Sequence, residues 1–208
     1  MKKFSQLMGQ QSLLPIIQAS SVEQGVSIAQ AMQKGGVNIV EVVLRTPASL
    51  AIISAIKSEL PDLVVGAGTV KTPDILSDAL EAGADFIVTP AVSPDLLKAL
   101  KSIDVPVLPG VSNNGDIMLA MEAGYTDLKL FPANLSGGVQ YLQSISSVFS
   151  SLQFCPTGGV IAENFNDYLE LGNVFAAGGT WVCQKSWVEN NQWELITQAC
   201  AQVCLQRI

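Results

Sequence analysis

Residues 81–90 (EAGADFIVTP) and residues 122–132 (EAGYTDLKLFP) show the same order of features. Each begins with the last turn of a predicted helix, which a glycine ends (Gly83 and Gly124), and continues into a short apolar strand that ends in proline. Glycine is suited to this place because it adopts the left-handed conformation that closes many helices. A helix followed directly by a buried strand is half of a βα unit, so its recurrence predicts a parallel sheet covered by helices.

Short apolar stretches of this kind occur eight times, and helix-length amphipathic segments separate them. The predicted strands are Leu13–Ala19, Val37–Arg45, Leu63–Thr69, Asp85–Pro90, Val105–Gly110, Thr126–Pro132, Gln153–Gly158 and Asn173–Thr180. Eight units in 208 residues average 26 residues each (208/8), which predicts a (β/α)8 TIM barrel with short loops. No linker or low-complexity tract divides the chain, so we expect residues 1–208 to form one domain.

The helix starts have clear signals. Three hydroxyl residues directly precede a proline and are expected to be N-caps: Thr46-Pro47, Thr72-Pro73 and Ser93-Pro94. Ser20 and Glu23 have the spacing of a capping box for the first long helix. Near the N-terminus, Phe4, Leu7 and Met8 predict a short amphipathic helix that closes the lower end of the barrel.

The composition excludes several classes of function. A net charge of −7 argues against a nucleic-acid partner, because affinity for the phosphate backbone requires clustered Lys and Arg. Histidine is absent, which removes Ser-His-Asp and Cys-His catalytic systems and His-ligated metals. Any catalysis must therefore use carboxylates, amines, hydroxyls or a bound cofactor.

Location and assembly can also be predicted from composition. The four cysteines form no CxxC pair and are expected to be reduced thiols of a cytoplasmic protein. The N-terminal residues lack a signal-peptide core, and no run of 18 apolar residues suggests a membrane span. Charged residues make up 14% of the chain against a usual ~25%, so we expect identical subunits to cover part of the surface.

Lys129 is the strongest candidate for a catalytic residue. It lies within the predicted strand Thr126–Pro132 and is the only basic residue between Lys101 and Lys185. Strands of a parallel barrel are buried on both faces, and moving an ammonium group out of water costs several kcal/mol unless it is paired. Burial therefore favours the neutral amine, which attacks carbonyls to give a carbinolamine and then a Schiff base.

Glu41 and Arg45 are the next candidates, in the predicted strand Val37–Arg45. With a side-chain period of two they share one face with Val43, and a carboxylate among Ile and Val residues is costly to bury. If this face points into the barrel, Arg45 lies at the mouth and Glu41 one layer below. A carboxylate beside the lysine can transfer protons, and an arginine at the rim can bind a substrate carboxylate.

Two glycine pairs follow the last two predicted strands, in Thr157-Gly158-Gly159 and in Gly178-Gly179-Thr180. Barrels often bind phosphate at these two loops, because a backbone without Cβ lets the N–H groups approach phosphate oxygens closely. Thr69 and Pro90 end strands three and four beside small residues and are expected to line the site.

Five segments together resemble one enzyme family. In chain order they are residues 41–46 (EVVLRT), 65–70 (VGAGTV), 128–133 (LKLFPA), 154–159 (FCPTGG) and 178–181 (GGTW). The chain thus resembles the 2-keto-3-deoxy-6-phosphogluconate (KDPG)/4-hydroxy-2-oxoglutarate aldolases over nearly its whole length. The resemblance implies a class I, Schiff-base aldolase on a (β/α)8 barrel, usually a cytoplasmic homotrimer, without a metal or other cofactor.

The resemblance also assigns roles to residues. Lys129 matches the Schiff-base lysine and Glu41 the general acid/base. The groups around the pyruvyl part of the 2-keto acid are matched by Arg45, Thr69, Pro90 and Phe131, and the phosphate site by Gly158, Gly159, Gly178, Gly179 and Thr180. Thr157, directly before the first glycine pair, is also expected to bind the substrate. Thr180 stands where the family usually has serine, and Ala91 follows Pro90 where glycine is common, so the substrate range stays open.

Three other functions remain compatible with these residues. One is the related aldolase for 2-keto-3-deoxy-6-phosphogalactonate, which differs at one stereocentre of the sugar acid. Another is a phosphosugar isomerase or epimerase, although many of those rely on a metal or on histidine. The third is a non-catalytic barrel that binds a phosphorylated ligand, in which Lys129 merely pairs with Glu41.

Overall fold

The computed structural model describes residues 2–205, in which parallel strands alternate with helices. The strands are β1 (Leu13–Ile17), β2 (Ile39–Val43), β3 (Val64–Gly68), β4 (Phe86–Val88), β5 (Val107–Leu108), β6 (Gly110–Val111), β7 (Asp127–Leu130), β8 (Gln153–Phe154) and β9 (Ala177–Gly179). The helices are α1 (Phe4–Met8), α2 (Val22–Lys34), α3 (Ser49–Glu59), α4 (Pro73–Glu81), α5 (Pro94–Leu100), α6 (Asn114–Glu122), α7 (Gly138–Ile145), α8 (Phe165–Leu169), α9 (Lys185–Glu189) and α10 (Trp193–Leu205).

The strands form a curled, parallel arrangement. One sheet has the order β5-β4-β3-β2-β1-β9 and a second has the order β6-β7-β8. The chain itself connects the two sheets at Pro109, between β5 and β6. On the other side, parallel bridges join Phe154 to Val174 and Thr157 to Gly178. The α/β class and the parallel sheet that the sequence predicts are thus confirmed.

The fifth predicted strand, Val105–Gly110, is interrupted. Its residues form β5, which pairs with β4, and β6, which pairs with β7. Pro109 separates the two because proline has no N–H to donate to a ladder. Its carbonyl still accepts a hydrogen bond of 2.8 Å from Lys129 N.

The predicted N-caps are partly right. Thr72 and Ser93 cap α4 and α5, each accepting a hydrogen bond from the backbone N–H three residues later. Thr46 is not a cap: α3 begins at Ser49, and Thr46 Oγ1 instead donates to the Ala19 carbonyl at 2.9 Å. The cap of α2 is Ser21, one residue after the predicted Ser20, so Glu23 does not complete the expected box.

Two apolar layers hold the elements together. One lies between the sheet and the helices, and the other lies inside the curve of the sheet, where Leu14, Ile39 and Leu108 pack with α1. Phe4 of α1 is fully buried and packs edge-on against Phe86, with ring centroids 5.1 Å apart. The predicted N-terminal helix therefore covers the end of the sheet at which β1, β2 and β4 begin.

None of the helices within residues 2–205 is both long enough and apolar enough to cross a membrane.

Candidate active site

Lys129 lies on β7, with β6 on one side and β8 on the other. Its backbone is in register with Gly110, and Cys155 N donates to the carbonyl of the preceding Leu128 at 2.8 Å. The neighbouring Leu128 and Leu130 belong to the layer under the helices, so Lys129 points to the inside of the curved sheet. Only 5% of the surface of Lys129 is exposed to solvent. The amine is therefore largely removed from water, as the sequence predicts.

Glu41 approaches this amine from β2. The carboxyl is fully buried, and its Oε1 atom lies 3.4 Å from Lys129 Nζ. The approach is possible because Gly68 on β3 has no side chain: a Cβ there would collide with Glu41 Oε1. The two residues that the sequence singles out, 88 positions apart, are thus brought within hydrogen-bonding distance.

The second carboxyl oxygen of Glu41 has a different environment. Oε2 is buried and has no hydrogen-bond partner among the residues that the structure describes. A buried polar atom without a partner is costly, because it has lost its hydrogen bonds to water. This oxygen is consequently available to a substrate hydroxyl or to a water molecule held beside Lys129.

Aromatic and threonine side chains complete the surroundings of the amine. The centroid of the Phe131 ring lies 5.1 Å from Lys129 Nζ, so the ring forms an apolar wall beside the amine. Thr89 is fully buried, and its Oγ1 accepts a hydrogen bond of 3.0 Å from Gly110 N. That bond fixes the strand next to Lys129, and the sequence analysis did not identify Thr89.

Arg45, Thr69 and Pro90 follow β2, β3 and β4, at the edge where these parallel strands end. Arg45 is exposed, as expected for a group at the mouth. Thr69 has φ 65°, an unusual conformation for a β-branched residue. Such strain is often found where a side chain is held in place for a ligand.

The two glycine loops lie side by side, as predicted. Thr157 and Gly178 form a parallel bridge, and a Cβ at Gly178 would collide with Thr157 Oγ1. Gly158 and Gly159 both have positive φ values, 94° and 76°. Thr180, which follows the second pair, is exposed. The arrangement leaves backbone and hydroxyl groups at the same edge as Arg45.

Cys155 is a neighbour of Lys129 that sequence reasoning took only as a reduced thiol. It is fully buried, and this burial raises the pKa of its thiol to about 12. Lys129 and Glu41 act on the thiol in opposite directions, the amine lowering its pKa and the carboxylate raising it. The sequence did contain a signal for this position. Cys155 lies two residues before Thr157 in the predicted strand Gln153–Gly158, and alternate residues of a strand share a face.

A cavity of about 570 Å3 opens next to Thr180, between the segments that follow β1 and β9. We call it the rim cavity; Ile16, Gln18, Gln24, Thr46, Thr180 and Trp181 are among its lining residues. Lys129 and Glu41 do not line it. The cavity could not be predicted from the sequence, because its lining comes from three separate parts of the chain: residues 16–24, Thr46 and residues 180–189.

No set of three His, Cys, Asp or Glu side chains within residues 2–205 is placed to hold a metal ion. The chemistry that the described groups can perform is that of a desolvated amine with a carboxyl 3.4 Å away. Such a pair can attack a carbonyl and transfer the accompanying protons.

Comparison with known proteins connects this geometry to a family. The family model described as "Aldolase: KDPG and KHG aldolase" matches residues 4–199. The chain belongs to the KDPG and KHG aldolase family. It is 40% identical to the KHG/KDPG aldolase of Escherichia coli K12 over 186 residues, which are 89% of this chain and 87% of that protein. It is 41% identical to the 2-dehydro-3-deoxy-phosphogluconate aldolase of Pseudomonas aeruginosa over 181 residues, 87% of this chain and 82% of that protein.

Solved structures of family members are similar throughout. The KDPG aldolase of Legionella pneumophila, with pyruvate captured as a covalent carbinolamine, superposes with a TM-score of 0.94 at 35% identity, covering 97% of this chain and 98% of that one. A KDPG aldolase of Zymomonas mobilis gives a TM-score of 0.92 at 35% identity and covers 99% and 98%. The family resemblance predicted from five sequence segments is confirmed.

Proposed function

We propose that this chain is a class I aldolase that reversibly cleaves KDPG to pyruvate and glyceraldehyde 3-phosphate, and 4-hydroxy-2-oxoglutarate to pyruvate and glyoxylate. The observation that carries the proposal is the buried amine of Lys129, 3.4 Å from a carboxyl oxygen of Glu41. Membership of a family of lyases supports it, as does the covalent pyruvate adduct in the Legionella pneumophila relative.

The first half of the reaction attaches the substrate. The neutral Lys129 Nζ attacks the C2 ketone of the 2-keto acid, a C–N bond forms and the carbonyl oxygen takes up a proton. Glu41 then protonates the resulting hydroxyl, which leaves as water. The product is an iminium ion, and its positive nitrogen can accept the electron pair of a breaking C–C bond.

The second half breaks the C3–C4 bond. Glu41, directly or through a water at its unpartnered Oε2, takes the proton of the C4 hydroxyl. The electrons of the C3–C4 bond move into the iminium, the aldehyde leaves and an enamine of pyruvate remains on Lys129. Protonation of C3 and addition of water at C2 then release pyruvate and restore the amine. No metal or other cofactor is needed, because the iminium itself is the electron acceptor.

The residues at the mouth bind the rest of the substrate in this proposal. Arg45 pairs with the C1 carboxylate, while Thr69, Pro90 and Phe131 surround the pyruvyl part. The phosphate lies against Thr157, Gly158, Gly159, Gly178, Gly179 and Thr180. The side-by-side position of the two glycine loops supports this assignment, because the bridge between Thr157 and Gly178 brings both loops to one place at the mouth.

For the whole chain we infer a closed (β/α)8 barrel formed by residues 1–208 as one domain. The two bridges between β8 and the β9 segment support closure. We further infer a homotrimer working in the cytoplasm. Met118, Leu119, Leu135 and Ile161 support assembly, since these large apolar side chains are exposed.

A lactate dehydrogenase-coupled assay tests the proposed reaction. The purified protein is supplied in turn with KDPG, with its galactonate stereoisomer and with 4-hydroxy-2-oxoglutarate, and pyruvate is followed through NADH consumption. We expect pyruvate from KDPG and from 4-hydroxy-2-oxoglutarate, and none in either case from Lys129→Met. Binding of a phosphorylated ligand with no pyruvate from any substrate would instead identify a non-catalytic barrel.

A further inference from the structure

The rim cavity is large compared with glyoxylate, the smaller of the two aldehyde products of the proposed reaction. Its volume of about 570 Å3 is that of a small-molecule site, for which about 300–1,000 Å3 is typical. A five-carbon sugar has ten non-hydrogen atoms, as many as glyceraldehyde 3-phosphate, and fits in this space.

The rim cavity adjoins the place where the end of a substrate would lie. Its floor includes Ile16, whose backbone is in register with Glu41 on the neighbouring strand. Thr180, at the end of the second glycine loop, forms part of the wall, and so does Thr46, the residue after Arg45. A carbon chain bound covalently to Lys129 can therefore continue past Thr180 into the cavity.

The polar groups of the wall are suited to hydroxyl groups. Gln18, Gln24 and Gln184 contribute amides, each of which can both donate and accept hydrogen bonds. Gln24 is held in place because its Oε1 accepts from Ser20 N at 2.9 Å and from Ser20 Oγ at 3.2 Å. Within residues 2–205, its Nε2 donates to no protein acceptor and so can donate to a ligand.

One side of the cavity is a fixed aromatic surface. The Trp181 ring packs against Phe165 with centroids 5.2 Å apart. It also covers Gly179, where any Cβ would collide with the indole. A rigid ring of this kind offers apolar surface to the C–H groups of a bound chain, while the amides opposite receive the hydroxyls.

The charges of the lining residues offset each other. Lys185 and Glu189 are the charged residues in the wall, and they form an exposed ion pair of 3.6 Å. A lysine without a nearby carboxylate would favour a phosphate ligand, but Lys185 is paired with the carboxylate of Glu189. Neutral hydrogen-bonding groups therefore determine what the cavity binds.

We propose that the rim cavity binds the hydroxylated chain of an unphosphorylated 2-keto-3-deoxy sugar acid longer than six carbons. The protein then also adds pyruvate to pentoses, and cleaves the products. This inference rests on the proposed aldolase function, since the ketone is held at Lys129. In the synthetic direction the enamine C3 of bound pyruvate forms a bond to the aldehyde carbon, whose oxygen takes the proton from Glu41. Hydrolysis then frees the product, and water is the only additional reactant.

The test compares a long and a short aldehyde. Wild-type protein is incubated with pyruvate and either D-arabinose or glyoxylate, and the 2-keto-4-hydroxy acid product is measured. The variant is Gln18→Ala/Gln184→Ala, because both side chains are exposed and neither makes a hydrogen bond within residues 2–205. Gln143→Ala, an exposed glutamine of α7, is the matched control.

We expect wild-type protein to form product with both aldehydes. In the double variant the KM for D-arabinose should rise about 3- to 10-fold for each hydrogen bond lost, with the glyoxylate reaction unchanged. Gln143→Ala should leave both reactions unchanged. Product from glyoxylate but none from D-arabinose, or an unaltered KM for D-arabinose in the variant, overturns the role of the cavity. Absence of product from both aldehydes overturns the aldolase function itself.

Discussion

Replacing Gly68 by alanine tests whether the position of the Glu41 carboxyl limits the reaction. An added Cβ would lie 2.6 Å from Glu41 Cδ and 2.7 Å from Cγ, whereas ordinary van der Waals contact is 3.4–4 Å. The carboxyl must therefore retreat by about 1 Å, a displacement that can cost about 100-fold in rate at an active site. Gly68 has no positive φ, so alanine brings no backbone strain that would complicate the result.

The assay is pyruvate release from KDPG, measured as kcat, with thermal unfolding followed by circular dichroism. We expect kcat to fall about 100-fold, with a stability loss of about 1–3 kcal/mol from the extra methyl group. Gly115→Ala is the matched control and should keep full activity, since Gly115 lies exposed in α6. Wild-type kcat in Gly68→Ala would refute the reasoning.

Four further outcomes are expected. Glu41→Gln keeps the shape of the side chain but removes its acid–base function, so kcat should fall about 10²- to 10⁴-fold; a smaller change in the coupled assay would assign proton transfer elsewhere. Thr180→Val should raise the KM for KDPG about 10-fold or more and leave 4-hydroxy-2-oxoglutarate unaffected, because only the phosphate loses a hydrogen bond. Phe4→Ala should lower the free energy of unfolding by about 3–5 kcal/mol in urea titrations, and a loss below about 1 kcal/mol would contradict the tight packing of α1. Burial raises the pKa of Cys155 from 9.0 to about 12, so above pH 9 the unfolded chain loses this proton first. Stability should then decrease as pH rises, by about 1.4 kcal/mol per pH unit from this thiol, and Cys155→Ala should reduce the slope between urea titrations at pH 8 and pH 10.

The pairing of Lys129 with Glu41 could be predicted from the sequence because burying a charge is expensive. Lys129 and Glu41 lie in apolar strands, where an unpaired charge would be unstable. Two such residues in one barrel are therefore expected to form a pair. The distance between them could not be predicted. It depends on the register of β2, β3 and β7 and on the space above Gly68, and these are properties of the assembled sheet.

The start of a helix could be predicted where the capping residue alone decides it, and could not be predicted where another group in the fold competes for the hydroxyl of that residue. Thr72 and Ser93 cap their helices because proline fixes the next residue in helical geometry. Thr46 has the same pattern, but the Ala19 carbonyl on the neighbouring loop takes its hydroxyl, and α3 starts three residues later. The rim cavity likewise depends on three segments that are far apart in sequence, so no local pattern indicates it.

Reductive trapping tests the central role of Lys129 most directly. The protein is incubated with pyruvate, treated with sodium borohydride and digested, and the modified peptide is sequenced by mass spectrometry. We expect a reduced pyruvate adduct on Lys129, and its absence from Lys129→Met treated in the same way. An adduct on another lysine, or no adduct in protein that releases pyruvate from KDPG, would contradict a Schiff-base reaction at this residue.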